Sequence, residues 1–255
     1  MQIMNKLSVV IITYNEERNI RRCLQSISEI ADEIVVVDSL STDKTKEICE
    51  EFHVNFLEQK FLGYIEQKNH ALKFASNNYV LSLDADESLS DELKSSILEA
   101  KNNYSASGYT MNRLTNYCGK WVHHCGWYPD KKLRLFNHKL GSWGGINPHD
   151  EFFFKNKEKV LHLKGDLLHY SYYTVEEHYR QAERFSDIAA KAYLDKGKKP
   201  SVLKLVFSPL IRFIKDYVFL LGFLEGSTGL RICYIQALTT YKKYSKLRKL
   251  KRQSG

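Results

Sequence analysis

The stretch Val80–Glu87 reads VLSLDADE, an apolar run that ends in Asp84, Asp86 and Glu87. Carboxylates crowded in this way repel one another and need a counter-charge opposite them. Two further polar clusters follow apolar runs: Thr13-Tyr14-Asn15-Glu16 after Leu7–Thr13, and Asp38-Ser39 after Glu33–Asp38. No G-x-G-x-x-G follows the first run and no G-x-x-x-x-G-K-[ST] occurs in the chain. A nucleotide would therefore be held by side chains and metal rather than by a glycine cradle. Cys118, His123, His124 and Cys125 invite a zinc reading, but C-x6-C with two adjacent histidines lacks the paired ligand spacing of a zinc ribbon. Those histidines are expected to line an acceptor side or to stack among Trp121, Trp127 and Tyr128.

The elements that must position these clusters alternate. Leu7–Thr13 is a buried strand, and Ile20, Leu24 and Ile27 mark an amphipathic helix behind it. Glu33–Asp38 is a second strand, and the turn SLSTDKT has a Ser or Thr to cap the helix carrying Ile48. Short strands at Val54–Leu57 and Tyr79–Leu83 flank a helix over Tyr64–Ala75, and Ser90 opens another helix. Glu87 reads as a loop or helix-start acid rather than a ligand. This order predicts an α/β fold, a doubly wound and mostly parallel sheet with helices on both faces. Ligands of such sheets sit beyond the carboxyl ends of the strands, where all three polar clusters fall. From Gly108 to about Tyr173 the alternation stops, and an irregular, partly antiparallel region is expected over the end of the sheet. A helix returns over Val175–Leu194, and Asp195–Ser201 reads as a linker. The expected organisation is a catalytic domain over 1–195, with halves of about 1–105 and 106–195, and a helical, basic extension over 196–255.

Charge separates these parts. Residues 226–255 contain no Asp or Glu and eight of the 38 Lys and Arg, so the remaining 30 basic residues balance the 30 acidic ones. A basic surface at one end fits an acidic partner, either anionic lipid or nucleic acid. The body has no basic stripe or nucleic-acid motif, so no nucleic-acid partner is expected; a nucleic-acid-binding protein acting through the tail is the reading from another class. Residues 207–224 are too apolar for a solvated helix and too interrupted by Arg212, Lys215 and Asp216 for a span, which fits an interfacial helix or an oligomerisation segment. Five cysteines without regular spacing fit a reducing compartment, and no secretory signal or spanning run is read.

SVVIITYNEERNIRRCLQSI, EIVVVDSLSTDKT and VLSLDADE together resemble the opening of family 2 glycosyltransferases, the inverting enzymes of the GT-A fold. GWYPDKKLRLFN, NPHDEF and LLHYSY are similar to a bacterial subgroup that adds glucose or a related sugar to the inner core of lipopolysaccharide. The resemblance covers roughly residues 6 to 180. It implies a UDP-sugar donor, a lipid-linked saccharide acceptor and a divalent cation, manganese or magnesium. It implies an enzyme in the bacterial cytoplasm, peripheral on the inner membrane, with homo-oligomers possible through the C-terminal helices. Asp86 would ligate the metal, and Asp84, with Ala85 between them, would meet ribose or the metal through water. Asp38 would bind uracil or ribose, Thr13, Tyr14, Asn15 and Glu16 would frame the nucleoside, and Lys68 and Asn69 would face the diphosphate. Aligning on His149 selects Asp150 as general base, with Glu151 as the fallback. His169 is either a buried histidine or one that reaches the metal or diphosphate, and Trp127 either stacks on a sugar or joins an aromatic core. Polyprenyl phosphate in place of a sugar hydroxyl is the alternative acceptor, and needs no strong base.

Overall fold

The computed structural model describes residues 5–146, 149–198 and 201–253. The chain divides into two compact units, one of residues 1–113 and 130–170, the other of 114–129 and 171–255. The boundary read near 195 coincides with the end of a helix, Val175–Asp195, inside the second unit.

The first unit opens with β1 (Leu7–Thr13), α1 (Ile20–Ile27), β2 (Glu33–Asp38), α2 (Thr45–Glu50), β3 (Asn55–Glu58), α3 (Tyr64–Leu72) and β4 (Tyr79–Asp84). These four strands are parallel in the order β3-β2-β1-β4, with Thr13 in register with Asp38, and Ile12 with Asp84. That register brings the three polar clusters to a common edge. β1, β2 and β4 have apolar side chains on both faces because helices cover both. On one face Ile20, Leu24 and Ile27 pack with Val9, Ile11 and Leu81; on the other, Ala71 and Leu72 pack with Val10, Val35 and Val37.

A two-residue turn at Ala85 and Asp86 leads into β5 (Glu87–Leu89), then α4 (Asp91–Asn102), whose Ser90 cap accepts the Leu93 N–H. Glu87 is thus a strand residue, 1% exposed, and not the loop or helix-start acid read from the sequence. The region expected to be irregular is built of regular strands: β6 (Gly108–Tyr117), β7 (Lys120–Val122), β8 (Asp130–Asn137), β9 (Gly141–Ile146), β10 (His149–Phe154) and β11 (Val160–Tyr172). β8 pairs antiparallel with β4, and the sheet continues through β6 and β11 to β5. β9 and β10 form a separate hairpin. Two smaller expectations shift as well. α3 ends at Leu72 rather than Ala75, and α2 has Lys44 at its cap position without a side-chain bond, while Asp43 accepts the Thr45 N–H.

In the second unit, α5 (Val175–Asp195) starts at a capping box of Thr174 and Glu177. α6 (Val202–Ile214) runs into a π-type turn over Lys215–Phe219 and a short 3-10 turn over Gly222–Glu225, and α7 (Gly226–Gln253) follows. α7 packs against both α5 and α6. Among the described residues no helix is long and apolar enough to cross a membrane.

Candidate active site

The β4–β5 turn carries Asp84 and Asp86 to the carboxyl edge, and the chain itself supplies much of their counter-charge. Arg134 of β8, 4% exposed, donates at 2.8 Å to Asp84 Oδ2 and at 2.8 Å to Glu87 Oε1. Glu87 Oε2 accepts the Asp84 N–H at 3.0 Å and so closes the turn. Lys68 of α3, 3% exposed, lies 3.0 Å from Asp84 Oδ1 and 2.8 Å from Asp150 Oδ2. Burial opposes ionisation of Asp84, but Lys68 and Arg134 more than offset it and hold the carboxyl below the usual carboxylate range. The same acids keep Arg134 charged against its own burial. Removing one partner from a buried set of this kind costs about 3–5 kcal/mol, because a charge is then left without its opposite.

Asp86 has different company. Its carboxylate lies 3.2 Å from His169 Nε2. β11 delivers that histidine through its pairing with β5, where His169 faces Glu87, and the Tyr170 N–H donates to the Asp86 carbonyl at 2.9 Å. A carboxylate beside an imidazole suits a divalent cation. Among the described residues there is no group of three or more His, Cys, Asp and Glu side chains that could hold a metal. The pair offers two ligands for such a cation, and phosphate and water oxygens would have to supply the rest of its shell. Buried polar atoms without a hydrogen bond stand at the same edge, among them Thr13 Oγ1, Gln67 Oε1 and Trp143 Nε1.

The loops after β1 and β2 are tied together. The Asn15 N–H donates to Ser41 Oγ, Asn15 Oδ1 accepts the Thr42 N–H, and the Glu16 N–H donates to Thr45 Oγ1, each at 2.8 Å. Asn15 adopts the left-handed conformation, φ 54°, which asparagine tolerates better than most residues. Asp38 is buried and accepts the Ser41 N–H at 2.7 Å. Tyr14 is exposed and Thr13 buried. Burial, aided by the charges of Asp86, Asp43 and Asp84, pushes the Glu16 carboxyl up to about 7, although Asn19 donates to it at 2.7 Å.

The β9–β10 hairpin supplies the last group. Asp150, Phe152 and Phe154 alternate with Glu151 and Phe153 along β10. Phe152 stacks on Phe136 at 3.7 Å between ring centres and packs edge-on to Trp143, which fixes that face inward. Asp150 shares the face and its side chain is 9% exposed; Glu151 is exposed on the other. Asn69 pins the hairpin to α3: Nδ2 donates to the Trp143 carbonyl at 2.9 Å, and the Trp143 N–H donates to Oδ1 at 3.0 Å. The Trp143 ring in turn lies 4.6 Å from the Lys68 ammonium, within cation–π range. His149 opens β10, but its side chain and residues 147–148 lie outside the described part.

In the first unit Lys68 thus joins Asp84 to Asp150, while Asp86, two residues along the same turn from Asp84, pairs with His169. Trp127 belongs to the second unit, in an aromatic cluster with Tyr117, Tyr172 and His178. In that unit His123 meets Tyr128 edge-on and His124 Nδ1 lies 2.8 Å from Glu225. Sequence reasoning missed Arg134, Glu87 and Trp143. The signal for Arg134 was present: it stands between Leu133 and Leu135 and has the parity of Phe136, so a cation sits at a core position of a strand and must find buried acids there.

Comparisons with known proteins bear on the family and the fold. A family model for "Glycosyl transferase family 2" matches residues 8–157. An uncharacterized glycosyltransferase of Rickettsia typhi is 33% identical over 98% of this chain and 89% of that protein. The lipopolysaccharide core biosynthesis glycosyltransferase LpsC of Rhizobium meliloti is 28% identical over 94% of this chain and 93% of its own. Among solved structures, the mannosyltransferase PcManGT of Pyrobaculum calidifontis, in complex with GDP-Man and Mn2+, matches with a TM-score of 0.53 at 17% identity, covering 96% of this chain and 86% of that one. That last likeness concerns the fold.

Proposed function

The chain belongs to glycosyl transferase family 2, and on that premise we propose that it transfers a sugar, glucose first among candidates, from a UDP-sugar to a hydroxyl of a lipid-linked saccharide, with inversion. The acceptor class follows the LpsC relative and the motifs around Asp150, and it sets the reaction at the cytoplasmic face of a bacterial inner membrane. The observation that carries the reading is that Lys68 bridges the inward-facing Asp150 to Asp84, two residues before the Asp86 that pairs with His169.

In this reading the acceptor hydroxyl gives its proton to the Asp150 carboxylate as its oxygen attacks the anomeric carbon. The bond from that carbon to the diphosphate breaks on the opposite face, and the electron pair leaves with UDP. A divalent cation bound by Asp86 and His169 would neutralise the charge growing on the diphosphate. Thr13, Tyr14, Asn15, Glu16 and Asp38 frame the nucleoside. Lys68 orients Asp150 against Asp84, and Asn69 holds the hairpin that bears the base.

The test is release of UDP from UDP-glucose, with GDP-mannose as the contrasting donor because the mannosyltransferase neighbour carries it. UDP release is expected to require manganese or magnesium and to collapse in Asp86→Ala. Undiminished turnover in that variant, or turnover indifferent to chelator, would overturn the site.

A further inference from the structure

α6 packs on α7 through one side only. Phe213, with Tyr217 of the following turn, lies against Ile232 and Cys233, while Leu203, Val206, Phe207, Leu210, Ile211 and Ile214 line a stripe that stays 41% to 69% exposed. Phe219, in the turn that follows, is 75% exposed. An apolar stripe this continuous marks a surface that another phase or molecule covers.

The charges of the same C-terminal segment say which. Between residues 201 and 253 the only carboxylates are Asp216 and Glu225, and both are buried. Asp216 pairs with Arg212; Glu225 accepts the His123 N–H at 2.9 Å and lies 3.2 Å from Lys120. What this segment shows outward is therefore hydrophobes and cations, among the latter Lys204, Lys215, Arg231, Lys249, Lys251 and Arg252. A second copy docked on the same face would bring cations against cations across a two-fold axis. An anionic bilayer offers both complements, acyl chains for the stripe and phosphate for the cations.

We infer that α6 and the turn after it form a membrane-docking surface that lies in the interface of an anionic phospholipid bilayer, with Phe207 and Phe219 as inserted anchors. Its use in catalysis rests on the lipid-linked acceptor proposed above; the binding itself does not.

The experiment sediments the intact chain with vesicles of phosphatidylcholine alone and of phosphatidylcholine with phosphatidylglycerol, at low and high salt. A Phe207→Ser, Ile211→Ser, Phe219→Ser variant alters exposed positions only, and its melting curve checks the fold. The wild-type chain is expected to follow the phosphatidylglycerol vesicles and to be released by salt, each cation near the surface adding about fivefold to binding. The variant is expected to bind about a hundredfold or more weakly, with UDP release in lipid-free solution unchanged. A wild-type chain left in the supernatant, or one indifferent to phosphatidylglycerol, would overturn the inference. So would a wild-type dimer that the variant dissolves, with no vesicle binding. Vesicle binding without UDP release would uphold the docking surface and count against the proposed reaction instead.

Discussion

Asp150 and Glu151 are neighbours on β10 and so point to opposite faces of the hairpin. In the sequence HDEFFF they are hard to separate, because three consecutive phenylalanines hide which parity faces inward. The packing of Phe152 on Phe136 resolves the parity and puts Asp150 against Lys68. Asp150→Asn is expected to lower transfer to the sugar acceptor by about a hundredfold to ten-thousandfold, the usual share of a general base, with the protein still folded. Glu151→Gln is expected to leave the rate close to wild type, and steady-state rates of the two variants side by side check the pair. The acidic turn was legible as a candidate site from its place after a strand, whereas which cations meet which of its carboxylates was not. Lys68 and Arg134 come from α3 and β8, and single-sequence reasoning has no distance between those elements and Asp84.

The element that aims His169 is β11, and its course depends on a close approach. Gly165 has φ 84°, and a Cβ there would come 2.3 Å from the Leu93 backbone nitrogen at the start of α4. The neighbouring Asp166 N–H donates to Ser90 Oγ at 3.0 Å, which ties the strand to the same helix end. Gly165→Ala must therefore move α4 or β11, at about 1–3 kcal/mol for the overpacking and more for the positive φ. Because His169 lies four residues on in the same strand, the variant is expected both to melt earlier and to need more manganese for half-maximal UDP release. Thermal melts and a metal titration read the two effects. The strand–helix half of the sheet was readable from periodicity, with strand ends correct to about a residue. The stretch from Gly108 to Tyr173 was not, since its strands alternate with aromatic and charged residues on both faces and read as irregular.

Across the whole molecule, the two units hold titrating groups that work in opposite senses. Glu16 in the first has its carboxyl raised from 4.5 to about 7, chiefly by burial, so the fold favours its protonated form. That contribution is complete below pH 4.5 and is lost as pH rises through 7. His178 in the second is lowered from 6.5 to about 4 by burial beside Tyr117, so the fold favours its neutral form, and that contribution is lost as pH falls from 6.5 through 4. In chelator, Glu16→Gln is expected to flatten the decline in melting temperature between pH 5 and pH 8, while His178→Gln is expected to flatten the decline on the acid side. Melting curves from below pH 4 up to pH 8 check both. The sheet order has a consequence in time. β4 borders β1 on one side and β8 on the other, and β8 is made about fifty residues after β4. Until the ribosome has released β8, the β4 edge stands open to pairing with other chains, and Asp84 and Glu87 lack Arg134. Residues 1–105 therefore leave one edge of their parallel sheet without its partner strand until that later segment arrives.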